Sequence, residues 1–278
     1  VRALLLCAAV SAALVASGCG FKGEPTGSTV TVSYPVTVVD GIGRQVTIAA
    51  RPRTIVTSDA GAAHLLGQAG ITARRLPSGS GTGRIAGAGG DLIVLPPSTP
   101  PDTADALSQA THRPVFVMGD AGLVPIERAI VELGLATGRA EDAARVASGL
   151  RARRLAVEHR VAGATPVRTF VDVGLGLGPP DGSLLDRLVT LAGGKVINAG
   201  AGAAGPAHIR RLHPDAYVAT KASSVTLGSL RHDRATAGIP AVRTGRVVVI
   251  DQRRLVDDDQ AYRVLLALAR ALHPDLWR

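Results

Sequence analysis

The residues able to bind or transform something are scattered along the chain, not gathered into one motif. Gly200-Ala201-Gly202-Ala203-Ala204-Gly205 matches GxGxxG and follows the apolar pair Val196-Ile197. A dinucleotide site needs that pattern to open a helix at a pyrophosphate, with an acid about 20 residues on at the ribose. Here Pro206 follows at once and nothing acidic precedes Asp215, so the segment reads as a loop. Ser78-Gly79-Ser80-Gly81-Thr82-Gly83-Arg84 is the second glycine cluster. Converging backbone N–H groups and the forked donor of Arg84 suit an anion; a plain surface loop is the alternative. Seven His and two Cys lack zinc-type spacing, so no metal site is expected. Met118 with His232 could supply axial sulfur and imidazole to haem, although a packed Met and a satisfied His is the simpler reading, and no cofactor is expected. Asp257-Asp258-Asp259 suits the acidic start of a helix better than a calcium loop. No Ser stands in a nucleophile-elbow context, and His64 sits beside Leu65 and Leu66 where packing is the default. No catalytic residue is expected, and the chain does not read as an enzyme.

Composition narrows the classes further. The 278 residues suffice for one large domain or two lobes. With 46% hydrophobic and 19% charged residues, global disorder is excluded. Aromatics at 3% leave too few rings for a single-strand nucleic-acid platform, so no nucleic-acid partner is expected. The formal charge of +9 suits an anionic envelope or an anionic ligand, or simply a solvated face. No apolar run reaches the roughly 20 residues of a spanning helix.

Arg2, the apolar stretch Ala3–Val15 and the small residues before Cys19 describe a secretory signal over residues 1–18. Ala16-Ser17-Gly18-Cys19 resembles the lipobox of bacterial lipoproteins. That resemblance implies acylation of Cys19 and a membrane-anchored, extracytoplasmic protein; an ordinary signal peptide is the alternative. Cleavage there discards Cys7 and leaves no thiol for a disulfide. Two or more acyl chains on one residue anchor stably where one is marginal. Residues 19–33, rich in Gly, Ser, Pro and Thr, read as a tether.

The elements that must position any site alternate in type. Val36–Val39, the turn Asp40-Gly41-Ile42-Gly43 and Gln45–Ile48 predict a hairpin. Strand Thr54–Thr57, a helix ending at Gly70, strand Ala73–Leu76, a glycine-rich loop Ser78–Gly90, strand Asp91–Leu95, helix Asp102–Ala110, strand Pro114–Val117 and helix Val124–Leu135 complete a first lobe, residues 34–140. Glu141–Val161 predicts one uninterrupted helix within a connector at residues 141–162, about 30 Å long. Val146, Leu150, Val157 and Val161 should face inward, and Arg145, Arg151, Arg153, Arg154 and Arg160 outward. A second lobe, residues 163–278, follows with strand Val167–Val173, helices Ser183–Ala192 and Ala207–Leu212, strands Ala216–Ala219 and Arg246–Ile250, and helix Asp258–Leu272. The fold class is therefore α/β: two lobes with mostly parallel sheets joined by a single long helix. A ligand would sit between the lobes, at the carboxyl ends of the strands. Loops there offer Asp59, Met118 with Asp120, Gly174 to Gly178, Lys221 with Ser223 and Ser224, and Arg253 with Arg254; Arg84 joins them from the glycine cluster. That set has more cations than rings, which suits an anionic metal chelate better than a planar macrocycle.

Tyr34 to Asp40, the turn to Arg44, Arg51-Pro52-Arg53-Thr54-Ile55-Val56 and the helix before Gly70 resemble the opening of the cobalamin and ferric-siderophore binding proteins of ABC importers. Leu133 to Gly138, Leu191-Ala192-Gly193-Gly194, His213-Pro214-Asp215 and Ala241 to Asp251 resemble later landmarks in the same order, so the resemblance covers about residues 34–275. It implies a lipid-anchored solute receptor with limited hinge motion, acting as a monomer and delivering a ferric siderophore or related complex to an ABC permease. Two departures stand out. The stretch before Asp91 is glycine-rich where the family places a helix and an acid, so the first lobe looks abbreviated. His64 and Thr190 occupy the positions where the family presents a Glu from each lobe to permease Arg residues. Neither is a permanent anion, and the nearest acids are Asp59 and Asp186, so docking to a permease should be divergent or absent. An envelope lipoprotein of the same fold with a scaffolding role is the first rival reading, and a Rossmann-type enzyme the second.

Overall fold

Alternating β-branched residues build the first element, an antiparallel hairpin of β1 (Val36–Val39) and β2 (Gln45–Ile48), with Val36 opposite Ile48. The computed structural model describes residues 31–97, 99–119, 122–252, 255 and 258–278. The expectations for Cys19, Asp120, Arg253, Arg254 and Asp257 lie outside the described residues. Asp40, 4% exposed, closes the hairpin by accepting from the Ile42 and Arg44 amides and from the Arg44 guanidinium.

Beyond the hairpin, buried aliphatic runs make two parallel sheets. The first has the order β4-β3-β5-β6, from β3 (Ile55–Thr57), β4 (Ala73–Arg75), β5 (Leu92–Leu95) and β6 (Val115–Val117). Its helices are α1 (Ala60–Gln68), α2 (Thr82–Gly87), α3 (Pro101–Thr111) and α4 (Leu123–Thr137). The second has the order β10-β9-β7-β8, from β7 (Val167–Asp172), β8 (Gly194–Val196), β9 (Ala216–Thr220) and β10 (Val247–Ile250). Between its strands lie α6 (Leu184–Leu191), α7 (Pro206–Leu212), α8 (Leu227–His232) and α9 (Pro240–Thr244); α5 (Ala140–Val161) precedes it and α10 (Asp258–Leu272) follows it. Parallel pairing buries both faces of the central strands, which is why β5 and β9 are buried at every residue.

Three sequence expectations need correction here. The supposed loop Ser78–Gly90 contains α2, a short helix pinned by the buried Ile85. The short α8 and α9 also escaped the periodicity, α8 being started by a reciprocal Thr226–Ser229 capping box and α9 by Pro240. On α5, Arg154 does not face solvent. It is 7% exposed and lies on the same stripe as Leu150, Val157 and Val161. Its Nε and Nη2 donate to the two carboxylate oxygens of Glu127 at 2.8 and 3.1 Å, and the Tyr262 hydroxyl donates to Glu127 Oε1 at 3.1 Å. This buried knot ties α4, α5 and α10 together. Around it one apolar core runs from the hairpin and α1 through α4 and α5 into α6, α10 and the second sheet.

Candidate ligand cleft

The second lobe's side of the cleft is organised from below by a buried carboxylate. Asp172 ends the central strand β7, is 2% exposed, and its Oδ1 accepts from the Gly174 and Gly176 amides at 2.9 Å each. Its Oδ2 accepts from the Tyr217 hydroxyl of β9 at 2.9 Å. Burial, and then the Asp172 charge, push the Tyr217 phenol well above its ordinary range, so it stays a donor. Held this way, residues 173–177 form a tight turn in which the Leu177 amide donates to Gly174 O. Leu175 is forced to φ +54 and left 88% exposed. A left-handed conformation costs a non-glycine residue about 1–2 kcal/mol, so the turn spends stability to present an aliphatic side chain at the strand's carboxyl end.

The segment after β8 locks this turn in place. Asn198 substitutes for a strand residue: its side-chain amide accepts from Val171 N at 3.0 Å and donates to Val171 O at 2.8 Å. The Ala204 amide donates to Gly176 O, Gly178 N to Ala201 O, and Gly200 N to Pro179 O. A Cβ on Gly178 would collide with the Asn198 carbonyl. The GxGxxG segment is thus a loop that fastens its neighbour; it opens only the short α7, through Gly205 and Pro206.

The first lobe contributes the loops after β3 and β6. Asp59 caps α1, its carboxylate accepting from the Gly61 and Ala62 amides at 2.8 and 3.2 Å. Burial raises its pKa, against the lowering effect of those two amides. After β6 the chain passes Met118 and Gly119 to Gly122, where Arg187 of the second lobe arrives. Arg187 Nη1 lies 3.2 Å from the place a Cβ on Gly122 would take, while its Nε donates to Gly182 O at 2.8 Å. The start of α4, after β6, and the start of α6, after β7, therefore approach each other at Arg187.

Of the residues singled out from sequence, the structure brings some to this crevice and not others. Lys221 begins the 3-10 turn after β9 and pairs with Asp251 after β10, Nζ to Oδ2 2.9 Å, joining two cleft loops. Buried beside them, Thr220 Oγ1 and Gln252 Oε1 lack hydrogen-bond partners among the described residues. Arg84 is exposed on α2, which follows β4 in sequence and packs against α3. Met118 is 1% exposed and belongs to the core, so it leaves the ligand-binding set, and the haem pairing with His232 goes with it. His232 is exposed, with its Nδ1 2.9 Å from Gly228 O. His64 is also exposed, not packed as expected, and shares a hydrogen bond with Gln68 at 2.8 Å. Thr190 is exposed on α6 and donates to Asp186 O. Among the described residues no group of three or more His, Cys, Asp or Glu is placed to hold a metal ion. Sequence reasoning placed the Gly174–Gly178 loop at the cleft without singling out Leu175, and missed Arg187 and the role of Asp172; only the last left a signal, an Asp followed at two and four residues by Gly, which favours an Asx-type turn.

Neither a protein-family model nor the sequence of a curated protein matches the chain. Solved structures match it in fold. An ABC transporter solute-binding protein from Sulfurospirillum deleyianum superposes with a TM-score of 0.70 at 14% identity, covering 87% of this chain and 90% of that one. The siderophore-binding protein BauB, solved with ferric iron and two molecules of acinetobactin, gives 0.69 at 15% identity, covering 86% and 98%. The molybdate-binding protein MolA of Haemophilus influenzae gives 0.67 at 11%, covering 87% and 92%. At these identities the likeness is one of fold: the chain has the two-lobed α/β fold of periplasmic solute-binding proteins.

Proposed function

We propose that the protein is the extracytoplasmic solute receptor of an ABC importer, anchored through an acylated Cys19, and that it takes a ferric siderophore or similar anionic metal complex between its lobes. The observation that supports this reading is that the segment after β6 and the start of α6 after β7, both at strand carboxyl ends, approach each other at Arg187, while Lys221 stands at the carboxyl end of β9. Arg253 and Arg254 follow β10 in sequence, which makes them candidates for the same anion. Leu175 offers an apolar contact to the organic shell of a chelate. A ligand at 100 times its Kd stabilises a protein by about 2.7 kcal/mol. A thermal-shift screen across ferric siderophores, cobalamin and haem should single out an anionic ferric complex. Gln substitutions at Arg84, Lys221, Arg187, Arg253 and Arg254 should then weaken binding, each lost charge-assisted bond being worth about 1.5–3 kcal/mol. A preference for cobalamin, or indifference to all five substitutions, defeats the reading. Anchoring is tested separately: Cys19→Ala should move the protein from membranes to the soluble fraction and abolish acyl labelling.

His64 and Thr190 favour a second reading, a scaffolding lipoprotein without transport. Both are exposed and neither supplies a carboxylate, so a permease presenting Arg at each lobe would meet no anion there. Reconstitution with such a permease should show weak docking, restored by His64→Glu/Thr190→Glu. Tight, salt-sensitive docking by the unaltered chain rejects this alternative.

A further inference from the structure

A cavity of about 430 Å³ lies on the face where α5 and α10 pack side by side, among Val157 and Arg160 of α5, Tyr262 and Leu266 of α10, and Trp277 of the 3-10 turn Pro274–Trp277. That is the size of a small-molecule pocket. None of its lining residues lies on a strand-end loop, so it is separate from the cleft. Val157, Leu266 and the indole make its surface mainly apolar, and the charged groups lining it are the guanidiniums of Arg153, Arg160 and Arg263, with no carboxylate among the lining side chains. Arg153 and Arg263 have protein partners of their own, so what they add is positive charge at the rim. Arg160 donates through Nε to Leu276 O at 2.7 Å and holds its guanidinium 4.9 Å above the Trp277 ring, over which Arg270 also lies at 5.4 Å. The Trp277 Nε1 donor is buried without an acceptor among the described residues. The Tyr262 hydroxyl is turned to Glu127. The pocket's wall is thus an apolar surface fringed with donors and cations, the complement of a molecule that is apolar at one end and an anionic acceptor at the other.

We infer that this pocket binds an amphipathic organic anion: a carboxylate carried on a flexible aliphatic chain. The carboxylate meets the arginines at the rim, and the chain lies along Val157, Leu266 and the indole. An aliphatic body fits better than a flat aromatic one, because two guanidiniums already occupy positions over the indole and an aromatic guest would compete with them.

Trp277 is the only tryptophan in the chain, so its emission reports this pocket without interference from the cleft. The experiment titrates the full chain with bromine-labelled dodecanoate, kept below its micelle concentration, and follows tryptophan quenching. Quenching should saturate and be reversed by unlabelled dodecanoate, but not by dodecanol or inorganic phosphate at the same concentration. Arg263→Gln and Leu266→Glu should each weaken the apparent affinity about tenfold or more. Arg160→Gln should do the same where circular dichroism shows it folded; the other two variants carry the test if it is not. Quenching that never saturates, displacement by dodecanol or by phosphate alone, or affinities unchanged in the folded variants would overturn the assignment.

Discussion

Removing a buried carboxylate on which several donors converge leaves each of them without a partner, and Asp172 is such a group, with two amides and one phenol directed at it. Orphaned buried donors cost about 1–3 kcal/mol each. Asp172→Ala should therefore lower stability in urea titrations by about 3 kcal/mol or more, and Tyr217→Phe, which removes one bond, by about 1 kcal/mol. The pH dependence follows from the phenol. Its pKa is raised in the folded protein above the ordinary 10.0, so the folded state holds that proton more tightly than the unfolded state does. The resulting stability is fully present below pH 10.0 and is lost as pH climbs past it. Unfolding free energy measured across the alkaline range should fall more steeply for the wild-type chain than for Tyr217→Phe. Equal slopes would show that Tyr217 ionises as freely in the folded protein as in the unfolded one.

At the scale of elements, the cleft depends on two loops interlocked by their backbones, and the tightest point is Gly178 against the Asn198 carbonyl. Gly178→Ala should cost about 2–3 kcal/mol, because neither backbone can move without breaking the bonds from Gly178 N and Gly200 N. Gly202→Ala, in the same segment but with open space around it, should change stability little. A comparison of their melting temperatures checks the difference, and the Gly178 variant should also lose affinity for whatever fills the cleft. Nothing local in the sequence announces this interlock. The hairpin, α5 and the strands other than β8 were legible because each repeats an apolar period or run, and that is a local property; β8, Gly194–Val196, is too short and opens on a glycine. Arg154 could have been read as well: Leu150, Arg154, Val157 and Val161 follow one another at helical spacings, and only its charge argued for solvent. The short helices α2, α8 and α9 are too brief for a period, and are started by Gly81, Thr226 and Pro240 amid glycine and serine. The cleft was the least legible part. Met118 looked available because it follows a strand, whereas it is 1% exposed within the core; Arg187 offered no sequence signal, because the first-lobe residue it approaches, Gly122, is distant in the chain.

For the whole molecule, the decisive feature is that the largest core is shared: each lobe has a smaller buried cluster of its own, around Ile93 and Val117 in the first and Phe170 and Tyr217 in the second, but the main one spans both. Residues 31–278 form one compact unit, and the buried cluster passes from the first sheet to the second through α1, α4, α5, α6 and α10. Glu127 sits at the junction, with Arg154 and Tyr262 as its partners on two other helices. A protein built this way resists wide opening, since spreading the lobes would pull α4 from α10 and expose a paired charge. The same construction predicts how the protein unfolds. Removing one partner of a buried pair costs about 3–5 kcal/mol, while replacing both with apolar groups of similar volume is close to neutral. Glu127→Ala should accordingly destabilise strongly, and Glu127→Leu/Arg154→Met should recover most of the loss. In every variant the unfolding of the two lobes should stay coincident. Trp277 emission follows the carboxyl-terminal region, and hydrogen exchange at the Val56 and Val94 amides follows the first sheet. A shared core requires both probes to give one denaturation midpoint, shifted together by Glu127→Ala. If the first sheet melts at its own midpoint, or if Glu127→Ala moves one probe and spares the other, the lobes are independent domains and the knot among α4, α5 and α10 does not couple them.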